Sequence, residues 1–298
     1  MNYYNEIKEE IINNEINKKI KDYSKNKSDL ESKCRVGKLL SEAGKQYGEG
    51  IIKDYSKRLI NDIGKKYSIR YLFDMKRLYL FSKVHPLDAQ LTMSHYRILF
   101  TLNDNNKIDY YINQVKQRNL GKRELFAIIN NNEYERLSKE TKNKLITKEE
   151  PVVTDFIKNP ILIKNSYNYK EINEKILKKL ILEDMDNFLK ELGNGFAYIE
   201  SEYKIKMGDR YNYIDILLFN YIYNAFVVVE LKVTELKKEY TGQIEVYMNY
   251  IDKNIKTINQ DKTIGIIICR KDNMYVMRYC SDPRIFRTTY IINKIMQK

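Results

Sequence analysis

Histidine, cysteine, proline and glycine are all scarce in this chain of 298 residues, at two, three, four and eleven copies. Cys34, Cys269 and Cys280 are odd in number, lack Cys-x-x-Cys spacing and are joined only by His85 and His95. That pattern argues against a disulfide framework, a zinc finger and a haem site. With so little proline and glycine, and no low-complexity stretch, linkers and disorder have little room. No apolar run approaches the roughly 18 residues of a membrane span, and no cleavable signal is evident. A cytoplasmic, bacterial protein that does not enter a membrane is the expectation.

What is present points to a packed and basic molecule. Hydrophobic residues make up 43% and aromatics 12%, and the length suffices for one large domain or two ordinary ones. Lysine and arginine outnumber the acids 53 to 40, giving +13 and a pI near 9.3. Such a balance suits a polyanionic partner such as nucleic acid, although an AT-rich genome also enriches lysine, isoleucine and asparagine. Residues 1–150 carry +9 and residues 151–298 carry +4, so the bias sits mainly in the first half.

The most informative stretch runs from Tyr213 to Tyr247. Two short β-branched and aromatic runs, Tyr213–Phe219 and Ala225–Lys232, flank a polar turn at Asn220–Asn224, the pattern of two buried strands in a hairpin. If the turn is centred between Ile222 and Tyr223, Asp215 faces Glu230 across the pair. Two carboxylates opposed on buried strands repel each other unless a cation lies between them, and Mg²⁺ or Mn²⁺ suits oxygen ligands. Strand alternation puts Lys232 on the same face as Glu230, within reach of an attacking water or a phosphate. On the helix that follows, Gln243 and Tyr247 share one face at i and i+4.

Upstream, isoleucines 7, 11, 12, 16 and 20 mark one helix or a pair over residues 1–32, and a second helix is expected from Val36 to Tyr47. Gly50–Ile63 reads as a helix; Lys65-Lys66-Tyr67 forms a turn, Ser68 a cap, and Tyr71, Leu72, Met75, Leu78 and Tyr79 the apolar face of the next helix. This is a helix-turn-helix outline whose second helix would show Arg70, Asp74, Lys76 and Arg77 to solvent, with Lys65 and Lys66 beside it. An ordinary helical hairpin accounts for the same letters. Further helices are expected after Pro86, from Leu91 to Leu99, over Tyr110–Arg118 and over Lys122–Asn130, with His95 read as a hydrogen-bonded packing residue. The best boundary lies between Ser138 and Thr154. Beyond it come a long amphipathic helix from Tyr169 to Leu192, a strand Phe196–Lys206, the acidic hairpin, the Gln243 helix, and two strands at Thr263–Cys269 and Met274–Tyr279.

The Asp215, Glu230-x-Lys232 arrangement, with Ile214 where the motif name has proline, resembles the core of the PD-(D/E)XK nucleases, and Gln243-x-x-x-Tyr247 resembles an element of several of their branches. Together with Tyr67–Tyr79, Leu91–Tyr96, Phe188–Gly193 and Glu239–Gly242, it makes the chain similar to the YhcG family over about residues 36–290, Met93 replacing a usual tryptophan. That resemblance implies an α+β, two-domain architecture. An all-α region over 1–140, expected to bind DNA, is followed by a connector at 141–165 and an α/β restriction-endonuclease-like domain with a mixed central sheet over 166–298. It implies Mg²⁺-dependent (or Mn²⁺-dependent) phosphodiester hydrolysis. Asp215, Glu230 and the Leu231 carbonyl would hold metal, together with a helix glutamate from among Glu174, Glu183 and Glu191, of which Glu174 is chosen. Lys232 would orient or deprotonate the water, and Gln243 would position the site. Lys65, Lys66, Arg70 and Arg77 are the expected nucleic-acid contacts, and a homodimer is compatible. DNA is the expected substrate, in defence, recombination or repair. The alternatives are an RNA-processing nuclease, or a DNA-binding protein whose degenerate nuclease fold serves dimerisation.

Overall fold

The computed structural model describes residues 3–19, 25–278, 280 and 282–294. Within them the chain forms two compact units, Met1–Tyr134 and Glu135–Lys298.

The first unit is helical throughout: α1 (Tyr3–Lys19), α2 (Lys25–Tyr47), α3 (Gly50–Asp62), α4 (Ile69–Ser82), α5 (Met93–Leu99), α6 (Asn105–Arg118) and α7 (Lys122–Asn130). Its core joins Tyr4, Ile7 and Ile11 of α1 to Val36 and Leu40 of α2, Ile52 and Leu59 of α3, and Leu72 and Met75 of α4. Ile12 of the expected stripe is 39% exposed, and Ile20 lies outside the described residues. The helix expected at Val36 starts eleven residues earlier, at Lys25. Ser68 caps α4 by accepting from the Tyr71 amide. His95 is buried and closes a capping box at the start of α5, its Nδ1 accepting from the Thr92 amide at 3.0 Å. It is a packing residue, as its neighbours indicated.

In the second unit the stretch expected as a connector is structured. It holds α8 (Lys139–Thr147), whose Ser138 cap accepts from the Thr141 amide, and β1 (Ile161–Asn165). The single helix expected over 169–192 is two, α9 (Glu174–Glu183) and α10 (Met185–Leu192), with Asn173 capping the first. They part at Asp184, whose φ of −124° and ψ of 48° are not helical and whose carboxylate pairs with Lys164 of β1 at 2.7 Å. Gly193 ends α10 at φ +120°, and a Cβ there would also lie 2.9 Å from that of Phe156.

The hairpin strands β2 (Phe196–Met207), β3 (Arg210–Asn220) and β4 (Ala225–Glu235) follow, then α11 (Lys238–Asn254), β5 (Asp261–Lys271), α12 (Met274–Arg278) and β6 (Ile285–Lys294). Met274–Tyr279 was expected to be a strand; Met274–Arg278 is instead helical, and Tyr279 lies outside the described residues. A short apolar run does not separate helix from strand, and here Asn273 starts a helical turn by accepting from the Tyr275 and Val276 amides.

The six strands form one mixed sheet in the order β1-β6-β5-β4-β3-β2. β1, β6, β5 and β4 run parallel, while β3 and β2 are antiparallel additions. Leu177, Leu180, Ile181, Phe188 and Leu192 of α9 and α10 pack with one face, through Val227, Val229, Ile266 and Ile268. Ile244, Tyr247, Met248 and Ile251 of α11 pack with the other, through Leu217, Val228 and Ile267. Gly265 allows that close approach, since a Cβ on it would meet the Met248 sulfur at 2.5 Å.

Candidate active site

The site begins where the hairpin comes apart. β3 and β4 pair from Asn220↔Ala225 to Ile216↔Val229, each pair summing to 445, and the next step puts Asp215 opposite Glu230. Asn220 fixes this register at the turn by accepting from the Ile222 and Tyr223 amides. At Asp215 the backbone ladder stops and the side chain takes over, its Oδ2 accepting the Leu231 amide at 3.0 Å. The carboxylate is therefore anchored to the strand that carries Glu230.

Glu230 is 3% exposed. Its Oε1 accepts from Lys232 Nζ at 2.8 Å, while its Oε2 is buried without a hydrogen-bond partner. Burial and then the charge of Asp215 push its pKa up to about 7, with Lys232 opposing and Glu174 adding to the rise. Burial pulls the Lys232 ammonium down, but the hydrogen bond and charge of Glu230, with Glu174 and Asp215 behind them, raise it overall. The acid is raised first by burial and the base by the carboxylates around it, Glu230, Glu174 and Asp215. Lys232 remains a cation under these conditions. It can orient and neutralise, but it is a poor proton acceptor.

Two other groups complete the surroundings. Lys178 of α9 donates to Asp215 Oδ1 at 3.1 Å and to Glu202 Oε1 at 2.8 Å. Tyr240 of α11 lies with its ring centroid 5.0 Å from Lys232 Nζ, its hydroxyl held by Thr234. Neither Lys178 nor Tyr240 was singled out from sequence. The signal for Lys178 was legible, since it stands four residues after Glu174 on one helix face, and a helix that brings one to the site brings the other.

Of the three helix glutamates, Glu174 opens α9 and is exposed, yet its charge is felt at both Glu230 and Lys232. Glu183 pairs with Lys179 at 3.8 Å. Glu191 is buried and fully engaged, bound by both Arg136 terminal nitrogens and accepting the Leu162 amide at 2.9 Å. Gln243 and Tyr247 are joined to each other, Nε2 to hydroxyl at 3.0 Å, with Tyr247 in the core beneath α11.

Among the described residues no group of three or more histidine, cysteine, aspartate or glutamate side chains is arranged to hold a metal ion. The donors on offer are the carboxylates of Asp215 and Glu230. Their chemistry still fits a hard divalent cation, because Glu230 presents a buried oxygen without a donor in a centre short of positive charge.

In the helical unit Lys65, Lys66, Arg70 and Arg77 are exposed. Lys66 is paired with Glu15. Two neighbours expected to face solvent do not: Asp74 is 6% exposed and accepts from Arg97 Nε at 2.7 Å, and Lys76 is largely covered and paired with Glu49. Among the described residues all three cysteines are free, and no helix is long and apolar enough to cross a membrane.

Residues 154–294 match the model of the YhcG PDDEXK nuclease domain, and residues 6–136 that of the DUF1016 N-terminal domain. The protein YhcG of Escherichia coli is 24% identical over 120 residues, which span 40% of this chain and 30% of that one. Two solved structures are each similar at 17% identity: a repair endonuclease from Pyrococcus abyssi (TM-score 0.29, covering 43% of this chain and 49% of that one) and the EndoMS–dsDNA2 complex (TM-score 0.30, 45% and 51%).

Proposed function

Since the chain belongs to the YhcG-like family, a DUF1016 N-terminal domain followed by a PDDEXK nuclease domain with the restriction-endonuclease-like fold, we propose that it is a divalent-metal-dependent phosphodiesterase acting on DNA. The observation that carries this reading is the partnerless, buried Oε2 of Glu230 beside Asp215, in a centre where both Glu230 and Lys232 are raised. Asp215, Glu230 and the Leu231 carbonyl would hold Mg²⁺ or Mn²⁺, with Glu174 at the outer edge. A cation bound there supplies the positive charge that offsets the charge building on the phosphate.

The chain's own groups do the rest. Leu231 and Lys178 fix the Asp215 carboxylate, and Glu230 holds the Lys232 ammonium where it can meet a phosphate oxygen. Tyr240 covers that ammonium and limits its hydration. Gln243 and Tyr247 brace α11 against the sheet, a supporting role. No covalent intermediate is needed. The setting we propose is defence, recombination or repair.

The test is incubation of the purified protein with linear, nicked, branched and single-stranded DNA and with RNA, each with Mg²⁺, Mn²⁺ or EDTA. Cleavage of DNA that EDTA abolishes is expected. Hydrolysis confined to RNA, or undiminished in EDTA, would overturn the reading.

A further inference from the structure

The parallel strands of the second unit all end on the side where Lys232 lies, and that side holds a second feature. An open groove of about 570 Å³ has in its lining Asn165 at the end of β1, Tyr169, Lys170 and Glu171 of the segment before α9, Arg270 near the end of β5, and Tyr290 of β6. The register fixes its place. Lys232 pairs with Cys269 and Cys269 with Thr289, so Arg270 and Tyr290 come one residue beyond, one and two strands across, and strand alternation turns them to the α9 face while Glu230 and Lys232 lie on the α11 face. The strand backbones lie roughly 5 to 10 Å from that of Lys232 at this level, so groove and site adjoin around the C-terminal strand ends. Glu174, at the start of α9, is electrostatically coupled to both, its charge felt at Glu230 and at Tyr290.

The groove is built. The Asn165 side chain clasps Tyr169 at both ends of its backbone, donating to its carbonyl and accepting from its amide, each at 2.9 Å. Lys179 holds the Tyr169 hydroxyl at 3.1 Å, and the ring is backed by Tyr167 at 5.6 Å between centroids. Lys170 and Arg270 are exposed, and among the described residues neither makes an ion pair. An immobilised aromatic ring beside two cations that outnumber the one lining carboxylate, Glu171, is the chemistry that takes a nucleobase by stacking and its phosphates by charge.

We propose that this groove receives an unpaired nucleotide that reaches it around the strand ends from the phosphate met by Lys232, so that the preferred substrate is a strand with an unstacked base: an overhang, a flap or a single-stranded segment. A base inside an intact duplex keeps its faces covered by its neighbours and cannot reach Tyr169 without being extruded, at a cost of a few kcal/mol. This proposal rests on the nuclease reading, but it is read out by binding and does not need turnover.

The experiment uses the full chain in EDTA, with DNA and RNA oligonucleotides that carry a single 2-aminopurine either in an unpaired overhang or within a blunt duplex. The expected result is quenching of the unpaired probe by stacking, with about tenfold or tighter binding of the overhang than of the duplex. Tyr169→Ala should relieve the quenching and bring the two affinities close together, whereas Tyr169→Phe, which keeps the ring and loses only the Lys179 contact, should retain both. Arg270→Ala should weaken overhang binding and lower the salt slope by about one. Equal quenching in Tyr169→Ala with a wild-type circular dichroism spectrum would overturn the proposal, as would equal binding of overhang and duplex by the wild-type protein. Retention of the preference in a protein that cleaves nothing with Mg²⁺ or Mn²⁺ would sink the nuclease reading and leave the groove standing. Quenching with only one of the two polymers would support the groove and assign its sugar.

Discussion

The helical unit and the candidate site of the second unit treat their charges in opposite ways. In the helical unit the excess of basic residues lies at the surface, and several interior or half-covered charges are paired one to one: Arg97 with Asp74, Lys76 with Glu49, Arg118 with Glu133. At the candidate site of the second unit Lys178 is divided between Asp215 and Glu202, Lys232 serves Glu230, and one buried carboxylate oxygen of Glu230 has no hydrogen-bond partner. Satisfied pairs of the first kind hold helices together; a deficit of the second kind costs stability in the metal-free chain and is retained where a further cation is to be bound. The difference separates scaffold from chemistry more sharply than net charge does.

The largest effects are expected where the deficit lies. Asp215→Asn or Glu230→Gln should reduce hydrolysis by more than about 100-fold, the loss that even supporting groups around a metal produce, and should abolish calorimetric metal binding. Undiminished Mg²⁺-dependent cleavage by either variant would dissolve the contrast between the units. Lys232→Ala should lose comparable activity while still binding metal. If its metal binding vanished as completely as in Asp215→Asn, the lysine would belong to the coordination shell.

The same deficit makes a stability prediction with a definite sign. The Glu230 carboxyl is raised from 4.5 to about 7 in the folded chain, so between those values the folded state holds a proton that the unfolded state has released. Metal-free stability should therefore fall as the pH rises from about 4.5 to 7, and Glu230→Gln should remove that slope and stabilise the metal-free protein near neutrality by ~1–3 kcal/mol. Added Mg²⁺ should reverse the trend in the wild-type protein, because it binds the ionised form. A melting temperature that rises with pH over this window in EDTA would contradict the assignment.

How much of this was legible in the sequence follows from how local each signal was. The register of the acidic hairpin was readable to the residue because strand alternation and a turn centred between Ile222 and Tyr223 fix it within a single stretch. β1 and β6 were not, because they pair with each other across more than 100 residues, Ile161 with Tyr290 and Ile163 with Ile292, and the lone run Ile161–Asn165 carries no turn that announces a strand. The break at Asp184 was hidden for a similar reason: the apolar spacing continues through it, and the interruption is stabilised by Lys164 on a strand that had not been assigned. At the site, Asp215, Glu230 and Lys232 came from strand alternation, whereas Tyr240 is brought over Lys232 by the packing of α11, which no periodicity encodes.

The smallest expected effect tests the other side of the comparison. If the helical unit contacts nucleic acid through its surface cations, the face should include the side chains that stay exposed at the turn before α4 and along it: Lys65, Arg70 and Arg77, with Lys66 contributing less because Glu15 already holds it. Each phosphate contact releases counterions, so alanine at all four positions should lower the log–log salt slope of DNA binding by about two to three, and Lys66→Ala alone by well under one. Asp74→Asn is the control that separates contact from scaffold, since it breaks the pair with Arg97 and should cost stability while leaving the salt slope unchanged. The measurement is binding at several salt concentrations on proteins with matched circular dichroism. An unchanged affinity and slope in the quadruple variant would mean that these cations only solvate a helical hairpin, and that the phosphate-binding surface lies in the unit where the charges are unsatisfied.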